Sequence, residues 1–330
     1  MVMRLFYLSS GKKTLSGLNP NMIGAFRRLE RKRKGFRFES FLSLKEPRRK
    51  LMRKIRSFQP DVAVIFGHDN HDLLPQLRKS GAVVGLWVVN DPYSLENYRW
   101  KVPHYDFMVT QESGCVPFYR RMKVPCIHLP LATNPDVYSP QSVSGPYRSE
   151  ICFVGNGWPT RIRFFDELTP YLLDKKFILV GKKWEGLKQY GRLKSNILNR
   201  TVSPKEAAKY YNGAKVVLNI HRANNDVDKN PLLLPAHTPN NRTFDIAACR
   251  SFQLLDCRRD LNRFYDPEKE IVCFQGIGDL KEKIDRYLVQ DEERERIAVE
   301  GYRRTIREHT YDARLESFLD QLKILLRKRG

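Results

Sequence analysis

Asn240-Asn241-Arg242-Thr243-Phe244-Asp245-Ile246-Ala247-Ala248-Cys249, running on to Phe252-Gln253-Leu254-Leu255, is the stretch whose reading decides the fold. It follows a long polar loop, reads as a short helix, and delivers the chain into a continuous apolar strand. A helix entered from a loop beside a strand end presents free backbone N–H groups and a partial positive charge. Arg242 adds a guanidinium fork suited to phosphate, and Asp245 an acceptor suited to sugar hydroxyls. The same residues also suit a plain helix start, capped by Asn241, with Asp245 buried.

The pattern continues on both sides. Upstream, an apolar run at 216–218 ends in Asn219-Ile220-His221-Arg222, and runs at 151–154 and 177–180 end in Gly155-Asn156-Gly157 and Gly181-Lys182-Lys183. Ser203-Pro204-Lys205-Glu206 has the form of a capping box with proline at the first helical position, and Gly213 closes that helix. Downstream lie a strand at 271–274 and helices near 280–288 and 291–305. Leu315, Phe318, Leu319, Leu322, Leu325 and Leu326 then follow at helical spacing. The first half has its own series of strands, at 4–8, 62–66, 83–89, 107–110 and 127–129, with basic amphipathic helices from about 20 and after Pro47. Strands without alternation, each followed by a crossover, mean a parallel sheet covered on both faces. Ligands gather beyond the carboxyl ends of such strands. In the first half those ends carry Ser9, Ser10, Gly11, His68, Asp91 and Glu112. The segment 133–149, rich in proline and serine, separates the halves. An α/β chain of two doubly wound domains is expected, with its site in the cleft between them.

Composition narrows the class. The 330 residues are 41% hydrophobic, which describes a globular protein with room for two cores. No apolar run reaches the length of a bilayer span, and the opening run is too short for a secretory signal, so a cytoplasmic protein is expected. The six cysteines show no zinc spacing and lie mostly in apolar company, which predicts reduced, buried thiols. The net charge is +22, and residues 1–60 hold 17 Lys or Arg against three Glu. Such a field draws anionic surfaces: phospholipid at the inner membrane face, nucleic acid or another polyanion. A solvated basic face without a partner is the plainer alternative.

Several ordered blocks carry a resemblance. Trp87 with Asn90-Asp91-Pro92-Tyr93, Tyr105-Asp106 with Thr110-Gln111-Glu112, and His128-Leu129-Pro130-Leu131-Ala132 are similar to the amino half of the CgeB-type spore-maturation glycosyltransferases. Phe153-Val154-Gly155-Asn156, Leu218-Asn219-Ile220-His221-Arg222, Asn241-Arg242-Thr243-Phe244-Asp245, Glu270-Ile271-Val272 and His309-Thr310-Tyr311 resemble the carboxyl half in the same order. The resemblance covers nearly the whole chain, with 11–58 the least distinctive part. It implies a GT-B fold, two Rossmann-like domains facing across a cleft. An acceptor-side domain is expected at 1–140 and a nucleotide-sugar donor domain at 150–308, with a terminal helix, 309–330, crossing back to the first. It also implies catalysis without a metal or other cofactor. In related retaining enzymes two Glu stand eight positions apart, the second on the ribose. Here the second position is Asp245, a methylene shorter, and the first is His237.

Sugar transfer needs a stabilised leaving diphosphate, a positioned anomeric carbon and a deprotonated acceptor hydroxyl. Without a metal, Arg, Lys and backbone N–H groups must meet the growing phosphate charge. Arg242, Arg161, Lys182 and Lys183 are the candidates, with Gly155, Asn156 and Gly157 letting the backbone approach. Asp245 is expected on the ribose and His221 near phosphate or sugar. Asp91 is the first candidate for general base or acceptor anchor, with capping of a turn as its alternative role. Glu112 and His68 are the other catalytic candidates, and Ser10-Gly11 form an amino-terminal glycine loop. Asp226-Val227-Asp228 has the Asp-x-Asp form but lies in a polar loop and reads as solvation. The expected function is a glycosyltransferase that uses a nucleotide sugar, a uridine diphosphate sugar first, on a cell-envelope or spore-surface glycan, lipid-linked acceptors included. The rivals are a nucleic-acid-directed transferase or polyanion binder, and a sugar-nucleotide-binding protein without turnover.

Overall fold

The inner strands are buried on both faces, which is why their apolar runs lack alternation. The computed structural model describes residues 2–12, 17–226 and 229–327. The chain divides into two units: Met1–Leu131 with Val227–His237 and Tyr311–Gly330, and Ala132–Asp226 with Thr238–Thr310. In the first, β1 (Met3–Ser9), α1 (Leu18–Lys32), β2 (Phe36–Leu42), α2 (Arg48–Phe58), β3 (Val62–Phe66), α3 (Leu74–Arg78), β4 (Val83–Val88), β5 (Phe107–Thr110), α4 (Val116–Arg121) and β6 (Cys126–His128) follow in order. Their sheet runs β2-β1-β3-β4-β5-β6 and is parallel throughout. The chain moves outward from β1 to β2 and returns to β3 on the other side of β1. That reversal opens a crevice at the carboxyl ends of β1 and β3.

The second unit repeats the plan with β7 (Ser149–Val154), α5 (Pro159–Leu172), β8 (Phe177–Val180), α6 (Tyr190–Leu193), β9 (Ile197–Leu198), α7 (Pro204–Gly213), β10 (Ala214–Asn219), α8 (Asn241–Ala248), β11 (Gln253–Asp256), β12 (Val272–Phe274), α9 (Gly276–Val289) and α10 (Asp291–Glu308). Its parallel order is β12-β11-β10-β7-β8-β9, so the reversal falls between β7 and β10. The last helix, α11 (Tyr311–Arg327), packs on the first unit. Its Phe318 lies 5.0 Å from the Trp87 ring and 6.4 Å from Phe26, and Asp312 pairs with Arg28 of α1. Burying a side chain such as Phe318 contributes roughly 2–3 kcal/mol. No helix among the described residues is long and apolar enough to cross a membrane.

Three local expectations change. Cys257 and Cys273 form a disulfide, because the β11–β12 register brings their Cα atoms to 5.2 Å, and the other four cysteines are free. Lys54 of α2 pairs with Glu39 and Glu46, at 3.3 and 3.0 Å. Of the Asp-x-Asp triplet, Val227 and Asp228 lie outside the described residues. Asp226 is buried rather than solvated, accepting from the backbone N–H of Thr160 and Ala223 at 2.9 and 3.0 Å. The capping box is half made: Ser203 Oγ accepts from Glu206 N, while the Glu206 carboxylate pairs with Arg200.

Candidate active site

At the reversal of the second unit, two guanidinium groups hold the strand ends together. Arg242, from the first turn of α8, donates to Val154 O at 2.7 Å and to Ile220 O at 3.3 Å. Arg161, from α5, donates to Ile220 O at 2.8 and 3.1 Å and to Asn156 O at 3.0 Å. Both stack over Phe153, and Arg161 is buried. In the structure the N–H groups of these arginines satisfy carbonyls that the sheet ends leave open. The glycines follow suit. A Cβ at Gly155 would lie 2.1 Å from Arg242 Nη1, and one at Gly157 would lie 2.5 Å from Lys183 O. These positions make room for the protein's own groups. Asn156 Oδ1 accepts from Lys182 N, which joins the loops after β7 and β8.

The start of α8 is equally tied down. Its cap is Asn240, not Asn241: Asn240 Oδ1 accepts from Thr243 N at 3.1 Å. The Asn240 backbone N–H donates to His221 Nε2 at 3.1 Å, so the proton of His221 sits on Nδ1, facing Asp256 Oδ1 at 2.8 Å. Burial holds His221 well below the usual imidazole range, against the pull of Asp256, and keeps it neutral. Burial would raise Asp256, but His221 and Arg258 outweigh it and keep the carboxylate ionised. With both ring nitrogens engaged, His221 sets the position of α8. Asp245 is also buried, accepting from Asn241 Nδ2 at 2.9 Å. Burial pushes its pKa up to about 7, against Thr133, Asn241 and Arg242. The carboxylate expected on a ribose thus sits within the packing of α8.

Open to solvent at this reversal are Lys182 and Lys183, with Trp158 and Arg222 half-buried. Lys183 Nζ stands 4.5 Å and Arg222 Cζ 4.2 Å from the centre of the Trp158 ring. One indole thus holds two cations from different strand ends, an arrangement that can receive a diphosphate. Trp158 and Arg222 were missed as ligand groups. The available signal was an aromatic directly after a glycine turn at one strand end, with basic residues at two others.

In the first unit, Asp91 lies wholly inside. Its carboxylate accepts from Thr110 Oγ1 at 2.5 Å, from Tyr119 at 2.8 Å and from Tyr98. Burial raises its pKa against these three hydroxyls. Asp91 therefore ties three buried hydroxyls together. Glu112 is buried too, accepting from Gly114 N at 3.0 Å and His237 N at 2.8 Å, and so clasps the 230–237 segment. His68 is the catalytic candidate that keeps a titratable atom in reach, with 36% of its side chain exposed. It follows β3 at the reversal, beside the Ser10-Gly11 turn after β1. Lys12 pairs with Asp69 at 3.1 Å, and Lys101 Nζ donates to His68 O at 2.9 Å. Burial, with Lys101, Lys12 and Lys229, lowers the His68 pKa against the pull of Asp69, which leaves a neutral imidazole at pH 7.

The family model described as Glycosyl transferase-like matches residues 153–320, half of the chain and all of the second reversal. The chain belongs to the glycosyl transferase-like family. This glycosyltransferase is 28% identical over 274 residues to Spore protein CgeB of Bacillus subtilis (strain 168), covering 81% of this chain and 84% of that one. Its fold is similar to that of sucrose-phosphate synthase from Thermosynechococcus elongatus, with a TM-score of 0.67 at 12% identity, covering 99% of this chain and 100% of that one. It is also similar to Anabaena Alr3699/HepE, solved in complex with UDP, with a TM-score of 0.62 at 9% identity and coverage of 98% and 100%. The GT-B fold class therefore stands, and the chain is a transferase.

Proposed function

We propose that this glycosyltransferase moves a sugar from a uridine diphosphate sugar to a hydroxyl of a cell-envelope or spore-surface glycan, without a metal. The observation that carries the reading is the pair of cations on Trp158 at the reversal between β7 and β10. Supporting it, Anabaena Alr3699/HepE is known with UDP and with UDP-glucose, and CgeB of Bacillus subtilis is a spore protein. In the reaction, His68 takes the proton of the acceptor hydroxyl and a new C–O bond forms at the anomeric carbon. The bond from that carbon to the diphosphate oxygen breaks, and its electron pair leaves with UDP. Lys183, Arg222 and Lys182 meet the charge that grows on the leaving group. Arg161, Arg242, His221 and Asp256 hold the strand ends and α8 in place around them.

Thermal denaturation with a panel of nucleoside diphosphates tests the donor. UDP should raise the midpoint by several degrees while ADP and GDP do not, and stabilisation by none of the three would end this reading.

The basic helices belong to the same proposal, as a peripheral contact with the anionic cytoplasmic face of a membrane carrying a lipid-linked acceptor. Arg27 and Arg31 on α1, Arg37 on the edge strand β2, and Arg49, Arg53 and Arg56 on α2 are all exposed. All six belong to β2 or to the two helices that flank it in sequence, and such exposed cations attract an anionic membrane surface. Sedimentation with phosphatidylglycerol vesicles should fall steeply with salt. Tighter binding to duplex DNA than to vesicles would reassign these cations to nucleic acid.

A further inference from the structure

Resting on the reading that His68 faces the acceptor, we infer that the first unit binds its acceptor as a carbohydrate, with a pyranose ring laid on Trp100. Trp100 is 59% exposed, and no other Phe, Tyr or Trp among the described residues is exposed. The other tryptophans are Trp87 and Trp184, both buried, and Trp158 at the donor cations. A solvated indole has an apolar face with a negative quadrupole, suited to the weakly positive C–H face of a sugar ring.

Polar groups that can orient such a ring surround it. His71 meets the Trp100 ring edge-on at 5.6 Å, with its Nδ1 3.0 Å from Tyr105 OH, and His104 lies 5.5 Å from His71. Lys101 Nζ is 5.0 Å from the Trp100 ring centre and donates to His68 O. One lysine therefore links the platform to the base. A second, independent observation lies in the same loop. Asn70 is 5% exposed, its Oδ1 accepts from Ser43 Oγ at 2.6 Å, and its Nδ2 has no acceptor. The loop that carries His68 and His71 contains a buried donor still in need of an acceptor. The residues from His68 to His71 thus supply a base, a carboxylate, an unmet donor and an aromatic neighbour within four positions.

Intrinsic fluorescence of the full chain, titrated with maltohexaose and with N-acetylchitohexaose, tests the inference. At least one oligosaccharide should quench or shift the emission. Trp100→Ala should weaken that response about tenfold or more, and Trp100→Phe should retain binding by a competition assay. Stabilisation by UDP should persist in both variants, which reports a folded protein and separates this test from that of the donor. No response to either sugar in the unaltered protein, or an equal response in Trp100→Ala, overturns the inference. A Trp100 response to phosphatidylglycerol vesicles alone also overturns it, since the ring then serves as a membrane anchor.

Discussion

The two units share one plan, a six-stranded parallel sheet whose order reverses once, yet they use the reversal differently. At β1/β3 the exposed groups are titratable: His68 and Asp69, with Ser10 beside them. At β7/β10 His221 and Asp256 are engaged with each other, and the exposed Lys183 and half-buried Arg222 stand over one indole. One end suits proton transfer and the other suits a leaving diphosphate. The fold gives the location in both cases; the side chains decide the chemistry.

The sharpest way to break this contrast is at the base. His68→Ala should lower kcat by about 10²–10⁴-fold while the affinity for UDP stays unchanged. In the unaltered enzyme, kcat/KM should rise with pH through an inflection below 6.5, because the neutral imidazole is the active form. Next in size is the loss of a buried node. Asp91→Ala leaves three buried hydroxyls without their acceptor and should destabilise the chain by about 2–4 kcal/mol in denaturant unfolding. On the other unit, Lys183→Ala combined with Arg222→Ala should weaken UDP binding about 100-fold by calorimetry, with little change in unfolding midpoint.

A smaller effect follows from Asp245, whose pKa in the fold is about 7 against an ordinary 3.8. Below pH 4 the folded and unfolded chains both hold the proton. Between roughly pH 4 and 7 the unfolded chain releases it first, so the stability of the native protein falls as pH rises through that window. Asp245→Asn should remove this slope, gaining roughly 1–3 kcal/mol over the unaltered protein at pH 8 and nothing at pH 4.

Much of this was legible in the sequence. The apolar runs, their turn residues and the ordered blocks fix two parallel sheets, and the carboxyl-end rule points to both reversals. Which polar residue faces solvent was not legible. Asp91, Glu112, Arg161 and Asp245 all stand at strand ends or helix starts, where a ligand group and a structural group look alike. Their partners come from elsewhere: Tyr98, Thr110 and Tyr119 around Asp91, and the Val154, Asn156 and Ile220 carbonyls around the two arginines. A buried charge must find such partners, and no local spacing announces them. Trp158 and Arg222 escaped for the converse reason, since their pairing is made only when the ends of β7 and β10 meet in space.

A crystal of the full chain soaked with UDP tests the central claim most directly. The diphosphate should lie against Lys183 and Arg222 beside Trp158, at the carboxyl ends of β7 and β10, with Arg161 and Arg242 still bound to their carbonyls. A diphosphate contacting neither Lys183 nor Arg222 would contradict the account.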